Sequence, residues 1–149
     1  MSSGDPRDEN PIRVYEEEDL DSIVGDIRRA HAAALESGGL PLDRETDGQA
    51  VSQVVYAAFA SGREFPTVYE QIAFFAVHLS TLHAFADGNK RTTVRASLGL
   101  LRHKGIVLDI DDSADPMNNE LYKMIEAVVC KRMDCDQLAG FFREHARKR

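Results

Sequence analysis

The fold is decided by residues 67–93, which read TVYEQIAFFAVHLSTLHAFADGNKRTT. From Thr67 to about His83 the apolar side chains recur at steps of three and four, and few positions are polar. Such spacing predicts a helix, and a helix that is apolar nearly all round is a buried one. Its predicted core positions are Val68, Ile72, Phe75, Ala76, Leu79 and Leu82. The stretch Asp87-Gly88-Asn89 ends the pattern with a turn, and a further helix is predicted from about Lys90 to Lys104.

Helical spacing also predicts the flanking elements. The predicted helices cover residues 16–37, 46–60, 116–132 and 134–146, and residues 106–110 form a short extended segment. Gly62 and Pro66 interrupt the pattern between the second and third helices, which predicts a turn or hairpin-like flap. The sequence therefore predicts an all-α fold, a bundle of about six helices with one small flap or hairpin.

Composition limits the classes of protein to consider. The chain has 149 residues, a net charge of −7 and two cysteines. We expect one domain over residues 16–149, preceded by a flexible acidic tail over residues 1–15. The acidic balance argues against binding duplex nucleic acid, and no apolar run is long enough for a membrane span. The low cysteine content and an N-terminus unlike a signal peptide predict a cytoplasmic location.

Residues 83–93 contain the candidate catalytic and ligand-binding side chains. A helix start directs unpaired backbone N–H groups and a positive dipole outward, which favours an anion. Lys90 and Arg91 add cations there, which indicates a polyphosphate ligand, and Asp87 is a carboxylate suited to Mg²⁺. The ordinary pKa of a histidine side chain lies near neutral pH, so His83 could act as a general base. Each residue alone could be a structural cap, a packed histidine or a surface charge, so the inference depends on their combination.

The segment from His83 to Thr92 resembles the H-x-F-x-[D/E]-G-N-x-R signature of the Fic/Doc superfamily. Its ending, Asn89-Lys90-Arg91-Thr92, is similar to the N-K-R-T of the Doc (death-on-curing) branch rather than to N-G-R-x-x-R of the nucleotidyl-transferring enzymes. The resemblance extends loosely from Gly38 to about Asp109. It implies an all-α fold and an ATP-dependent, Mg²⁺-requiring transferase that modifies a protein hydroxyl.

The resemblance also implies roles for individual residues. His83 is the implied general base, Phe85 packs beneath the loop, and Asp87 is the implied Mg²⁺ ligand. The implied nucleotide and phosphate ligands are Gly88, Asn89, Lys90 and Arg91. Residues 59–67 match the family's flap, which clamps a target peptide by strand addition. The flap residues singled out are Gly62, Arg63, Glu64 and Phe65.

One departure from the signature bears on the reaction. Val94 stands where nucleotidyl-transferring members carry a second arginine, and Arg95 is one step further on, where a helix turns it to another side. The resemblance therefore implies a Doc-like toxin that transfers phosphate from ATP to a Ser or Thr hydroxyl of a target such as a translation factor, restrained by a small antitoxin. Two alternatives remain open: protein adenylylation of the Fic type, and a catalytically silent helical binding protein of a toxin–antitoxin complex.

Other candidate sites receive structural interpretations. Cys130 and Cys135 have no nearby histidine pair, so we expect two semi-buried thiols rather than a zinc site. We expect His78 to be a core or interface histidine. We expect the basic residues 143–149 to be a solvated helix end, where cations suit the dipole.

Overall fold

The computed structural model describes residues 17–37, 50–60, 64–82, 89–111 and 115–148. Within them the chain forms six α-helices, one short 3₁₀ turn at Pro116–Asn118 and two short strands. In chain order the α-helices are α1 (Glu17–Ser37), α2 (Ala50–Phe59), α3 (Val68–Leu82), α4 (Asn89–His103), α5 (Glu120–Val129) and α6 (Cys135–His145). The strands are β1 (Ile106–Leu108) and β2 (Ala146–Lys148). The predicted all-α bundle is therefore confirmed.

Helix α3 is the centre of the bundle, as its apolar surface predicts. It packs against α2, α4, α5 and α6, while α1 packs against α2 and α4. Five of its six predicted core residues, Val68, Ile72, Phe75, Ala76 and Leu79, are almost completely buried. Burying a valine, leucine, isoleucine or phenylalanine side chain contributes roughly 1.5–3 kcal/mol to stability relative to leaving it in water. The bundle therefore fixes α3 and, through α3, the start of α4.

Helices α5 and α6 begin at side-chain caps. Asn119 accepts a hydrogen bond from the backbone N–H of Tyr122 at 2.9 Å. Asp134 and Gln137 form a reciprocal capping box, in which each side chain accepts from the other residue's backbone N–H. Such caps satisfy N–H groups that have no partner within the helix. The helix predicted over residues 116–132 is thus wrong at both ends, because α5 begins at Glu120, after the cap at Asn119, and ends at Val129.

The C-terminal end of the described chain differs from the sequence prediction. Residues 146–148 form β2 rather than the end of a helix, and β2 pairs antiparallel with β1, with Leu108 opposite Ala146. This two-stranded sheet is the one small sheet in the described residues. The predicted flap hairpin has no strand in residues 64–67, the part of the flap that is described. None of the helices in the described chain is both long enough and apolar enough to cross a membrane.

Candidate functional site

The site predicted from the sequence lies between α3 and α4. Helix α3 ends at Leu82 and α4 begins at Asn89. His83, Asp87 and Gly88 lie between them and outside the described residues, as do Gly62 and Arg63 of the flap. The structure therefore places three of the implied phosphate ligands, Asn89, Lys90 and Arg91, in the first turn of α4.

The first turn of α4 has the properties of an anion-binding helix start. The helix is 15 residues long and carries no acidic residue in its first turn. Its N-terminal N–H groups and dipole favour a negative ligand, since no carboxylate of that turn takes this role. The Thr93 hydroxyl donates a hydrogen bond to the Asn89 carbonyl at 2.8 Å and so ties the second turn to the first. The helix start is thus held by its own side chains as well as by its packing.

Lys90 is directed toward α5 rather than left in solvent. Its Nζ lies 3.3 Å from a carboxylate oxygen of Glu126 and 5.8 Å from the centre of the Tyr122 ring. Both partners in this ion pair are partly exposed, with 34% and 45% of their side chains accessible. Helix α5 therefore forms one side of the candidate phosphate site. The sequence pattern of residues 83–93 gave no indication of this contribution.

The position of the second arginine in the nucleotidyl-transferring signature is part of the hydrophobic core. Val94 is 4% exposed, and Thr92 and Thr93 beside it are fully buried. Arg95 is exposed and lines a cavity of about 440 Å³ between α1 and α4. The prediction that Arg95 faces away from the position of Val94 is consistent with this placement. Helix α4 therefore has a core valine at the position where the nucleotidyl-transferring signature has its second arginine.

The described part of the flap is held against α3. The Phe65 ring contacts the Phe74 ring edge-on, with centres 5.4 Å apart, and Phe74 stacks on His78 at 4.0 Å. Glu64 is exposed and Phe65 is partly buried. His78 itself is exposed, so of its two interpretations the core histidine is wrong and the interface histidine stays a prediction. The described part of the predicted flap thus contacts α3 through an aromatic pair at the middle of that helix.

The comparison with protein families agrees with the arrangement of α1 to α4. The sequence model described as the Fic/DOC family matches residues 18–101, more than half of the chain. The chain belongs to the Fic/Doc family. No curated individual protein matches it. Fic/Doc members are typically protein-modifying transferases that transfer a nucleotide-phosphate group. The matched range contains the motif and the flap, whereas α5 and α6 lie beyond it.

A second polar cluster joins α6 to the start of α3. One Arg143 Nη atom lies 2.9 Å from Thr67 Oγ1 and 2.9 Å from a Glu70 carboxylate oxygen, and Glu70 also accepts from the Thr67 hydroxyl. Burial raises the pKa of Glu70, but the hydrogen bonds from Thr67 and Arg143 and the arginine charge outweigh it, so the net pKa is lowered. In this Fic/Doc chain, α6 thus fixes the residue at which the flap ends. Sequence reasoning did not find this cluster.

The cysteines do not form a metal centre with the described residues. Cys130 is exposed and Cys135 is half-buried, so the prediction of two semi-buried thiols is wrong for Cys130. Burial raises the pKa of the Cys135 thiol to about 11, and the carboxylates of Asp136, Asp134 and Glu70 add to the shift. No group of three or more metal-ligating side chains occurs among the described residues. Mg²⁺ needs no such group, because one or two carboxylates and the substrate's phosphates suffice.

Proposed function

We propose that this Fic/Doc protein is a Doc-like kinase that transfers phosphate from ATP to a Ser or Thr hydroxyl of a target protein. The observation that carries the proposal is the burial of Val94, 4% exposed, at the position of the second arginine of nucleotidyl-transferring members. The first turn of α4 supplies the cations Lys90 and Arg91 instead. Because phosphoryl transfer is catalysed mainly by positioning and charge stabilisation, the cations that hold the nucleotide determine which phosphorus faces the incoming hydroxyl.

The proposed reaction assigns one role to each motif residue. His83 accepts the proton of the target hydroxyl, whose oxygen attacks the γ-phosphorus. The bond between that phosphorus and the bridging oxygen of the β-phosphate breaks, and ADP leaves. Asp87 would hold Mg²⁺, which when bound would neutralise charge on the phosphate oxygens. The backbone at Gly88 and Asn89, with Lys90 and Arg91, binds the phosphates.

The proposed partners and location follow from the same family branch. The target is a translation factor, and a small antitoxin encoded by a short neighbouring gene restrains the activity in the cytoplasm. The flap, including Gly62, Arg63, Glu64 and Phe65, holds an extended segment of the target by strand addition.

Labelled ATP distinguishes phosphate transfer from adenylylation. Purified elongation factor Tu, a translation factor, serves as the proposed target. It is incubated with the protein, Mg²⁺ and ATP labelled at either the γ or the α phosphate. We expect label on the target from the γ position alone, because the α phosphate leaves with ADP. Label that stays on the target from the α position would establish AMP transfer and overturn the kinase proposal.

Two variants test the assigned residues. His83→Ala removes the base, so we expect loss of transfer with an unchanged far-ultraviolet circular dichroism spectrum. Asp87→Asn weakens the metal site, so we expect a higher Mg²⁺ concentration at half-maximal ATP binding. A fully active His83→Ala protein would remove His83 from the mechanism. If ATP with Mg²⁺ gives no rise in Tm for the wild type, the silent binding protein becomes the better explanation, since a ligand stabilises the state it binds.

A further inference from the structure

The ion pair between Lys90 and Glu126 changes the charge of the proposed phosphate site. The sequence places two cations, Lys90 and Arg91, at the start of α4, but Glu126 of α5 lies 3.3 Å from Lys90 Nζ. A carboxylate at this distance offsets a substantial part of the ammonium's electrostatic attraction for a ligand that contacts Lys90. The site is therefore about one positive charge weaker than its motif indicates. Glu126 lies on α5, outside the residues 18–101 that match the family.

The side chain of Tyr122 keeps this neutral pair in place. Its ring centre lies 5.8 Å from Lys90 Nζ, on the same helix as Glu126 and one turn before it. An ammonium is attracted to the face of an aromatic ring, so Lys90 has two attractive partners on α5. Lys90 can contact a phosphate from this position, but the phosphate then also lies near the Glu126 carboxylate.

We propose that Glu126 makes the site selective for metal-complexed nucleotide over metal-free nucleotide, an inference that rests on the proposed ATP site at the start of α4. A carboxylate repels a polyanion in proportion to the charge of the polyanion. Metal-free ATP carries about twice the net negative charge of its magnesium complex, so the repulsive free energy is about twice as large. Glu126 thus offsets the preference for metal-free ATP that Lys90 alone would give, and so favours the form of ATP that is competent for phosphoryl transfer.

The size of the effect follows from the geometry. A phosphate oxygen that contacts Lys90 lies about 6 Å from the Glu126 carboxylate, the sum of two contact distances. With solvent and ordinary salt between them, removing the carboxylate charge tightens binding about threefold for the magnesium complex and about tenfold for metal-free ATP. The tenfold factor is about the square of the threefold factor. The repulsive free energy doubles when the charge of the nucleotide doubles, and a doubled free energy squares the change in Kd.

The wild type and four variants are compared by isothermal titration calorimetry, with ATP plus excess Mg²⁺ and with ATP plus a chelator. Glu126→Gln is expected to tighten both equilibria, with the larger factor for metal-free ATP. Lys90→Met is expected to weaken both equilibria, again with the larger factor for metal-free ATP. The double variant is expected to shift the ratio of the two Kd values back toward the wild-type ratio, because it removes both charges of the pair, and to fall short of it because Lys90 lies nearer the phosphate than Glu126 does. Glu120→Gln, which makes the same charge change about 9 Å along α5, serves as the matched control and is expected to change neither Kd by more than about twofold.

The outcomes distinguish a failure of this inference from a failure of the proposed function on which it rests. A Glu126→Gln protein with unchanged Kd values, or with the same factor for both forms of ATP, overturns the inference while the nucleotide site stands. Wild-type protein that binds neither form overturns the proposed function, and the inference with it. High salt is expected to shrink the factors of Glu126→Gln toward one, and factors that persist at high salt would show a steric cause instead.

Discussion

The guanidinium of Arg143 in α6 contacts two side chains at the start of α3, Thr67 and Glu70. The contact joins parts of the chain 73 residues apart and places the last helix against the end of the flap. Thr67 also accepts a hydrogen bond from the backbone N–H of Tyr69 at 3.1 Å, so it caps α3. The arginine charge therefore holds the cap, the first turn of α3 and α6 in one arrangement.

Removing this arginine is expected to destabilise the fold. Arg143→Met leaves the Glu70 carboxylate, whose side chain is 19% exposed, without its cationic partner. We expect the free energy of unfolding to fall by about 1–2 kcal/mol, measured by urea denaturation. Arg147→Gln is the control, because its pair with Asp109 is long, at 4.0 Å, and mostly exposed. We expect the free energy of unfolding of the Arg147→Gln protein to fall by no more than about 0.5 kcal/mol. An equal fall in the two variants would contradict the role given to Arg143.

The Glu70 cluster also makes stability depend on pH. The folded-state pKa of Glu70 lies below its ordinary value of 4.5, so the folded state binds its proton less tightly than the unfolded state does. The stabilisation is present above the unfolded pKa and is lost as the pH falls through the folded one. We expect the stability of the wild type relative to Glu70→Gln to decline from neutral pH to acid below 4.5. A difference that stays constant, or grows in acid, would contradict the assigned direction of the shift.

Two neighbouring threonines in α4 provide a matched pair of variants. Thr92 and Thr93 are both fully buried, but the Thr93 hydroxyl donates to the Asn89 carbonyl, whereas the Thr92 hydroxyl has no hydrogen-bond partner among the described residues. A buried hydroxyl without a partner costs free energy, and valine has nearly the same shape. We expect Thr92→Val to stabilise the fold by up to about 1 kcal/mol and Thr93→Val to destabilise it by about 0.5–1.5 kcal/mol. Thermal unfolding of both proteins tests this, and a reversed order would refute the assignment.

The two thiols are expected to differ in reactivity. The thiolate is the reactive form, and the Cys135 pKa of about 11 makes it scarce at mildly alkaline pH. Cys130 is exposed, so an aromatic disulfide reagent is expected to label it first, with Cys135 about a hundredfold slower. Cys130→Ser is expected to abolish the fast phase, and denaturation to restore a fast phase for Cys135. A fast phase that survives in folded Cys130→Ser protein would contradict the burial of Cys135.

The parts of the fold that were predictable from sequence depend on local pattern. The spacing of apolar residues predicted α3 because its core positions recur within one helix. The Asp87-Gly88-Asn89 turn likewise predicted the start of α4 to within one residue. Strand β2 was not predictable, because residues 146–148 carry no strand pattern and become a strand only by pairing with β1.

The unpredicted parts of the candidate site depend on distant contacts. Lys90 meets Glu126 across 36 residues and Glu70 meets Arg143 across 73. The spacing of apolar residues within one helix does not indicate which charged side chains of different helices will form ion pairs. The motif at residues 83–93 indicated a phosphate site, but α5, which neutralises part of its charge, could be found only in three dimensions.

The pairing of β1 with β2 has a consequence for synthesis on the ribosome. β1 directly follows α4, yet its partner in the described chain is made only after α5 and α6 have been translated. Until β2 has been made, the hydrogen-bonding edge of β1 is open to other chains or to chaperones. The domain therefore closes only once β2 has followed α6 out of the ribosome, well after the motif at residues 83–93 is complete.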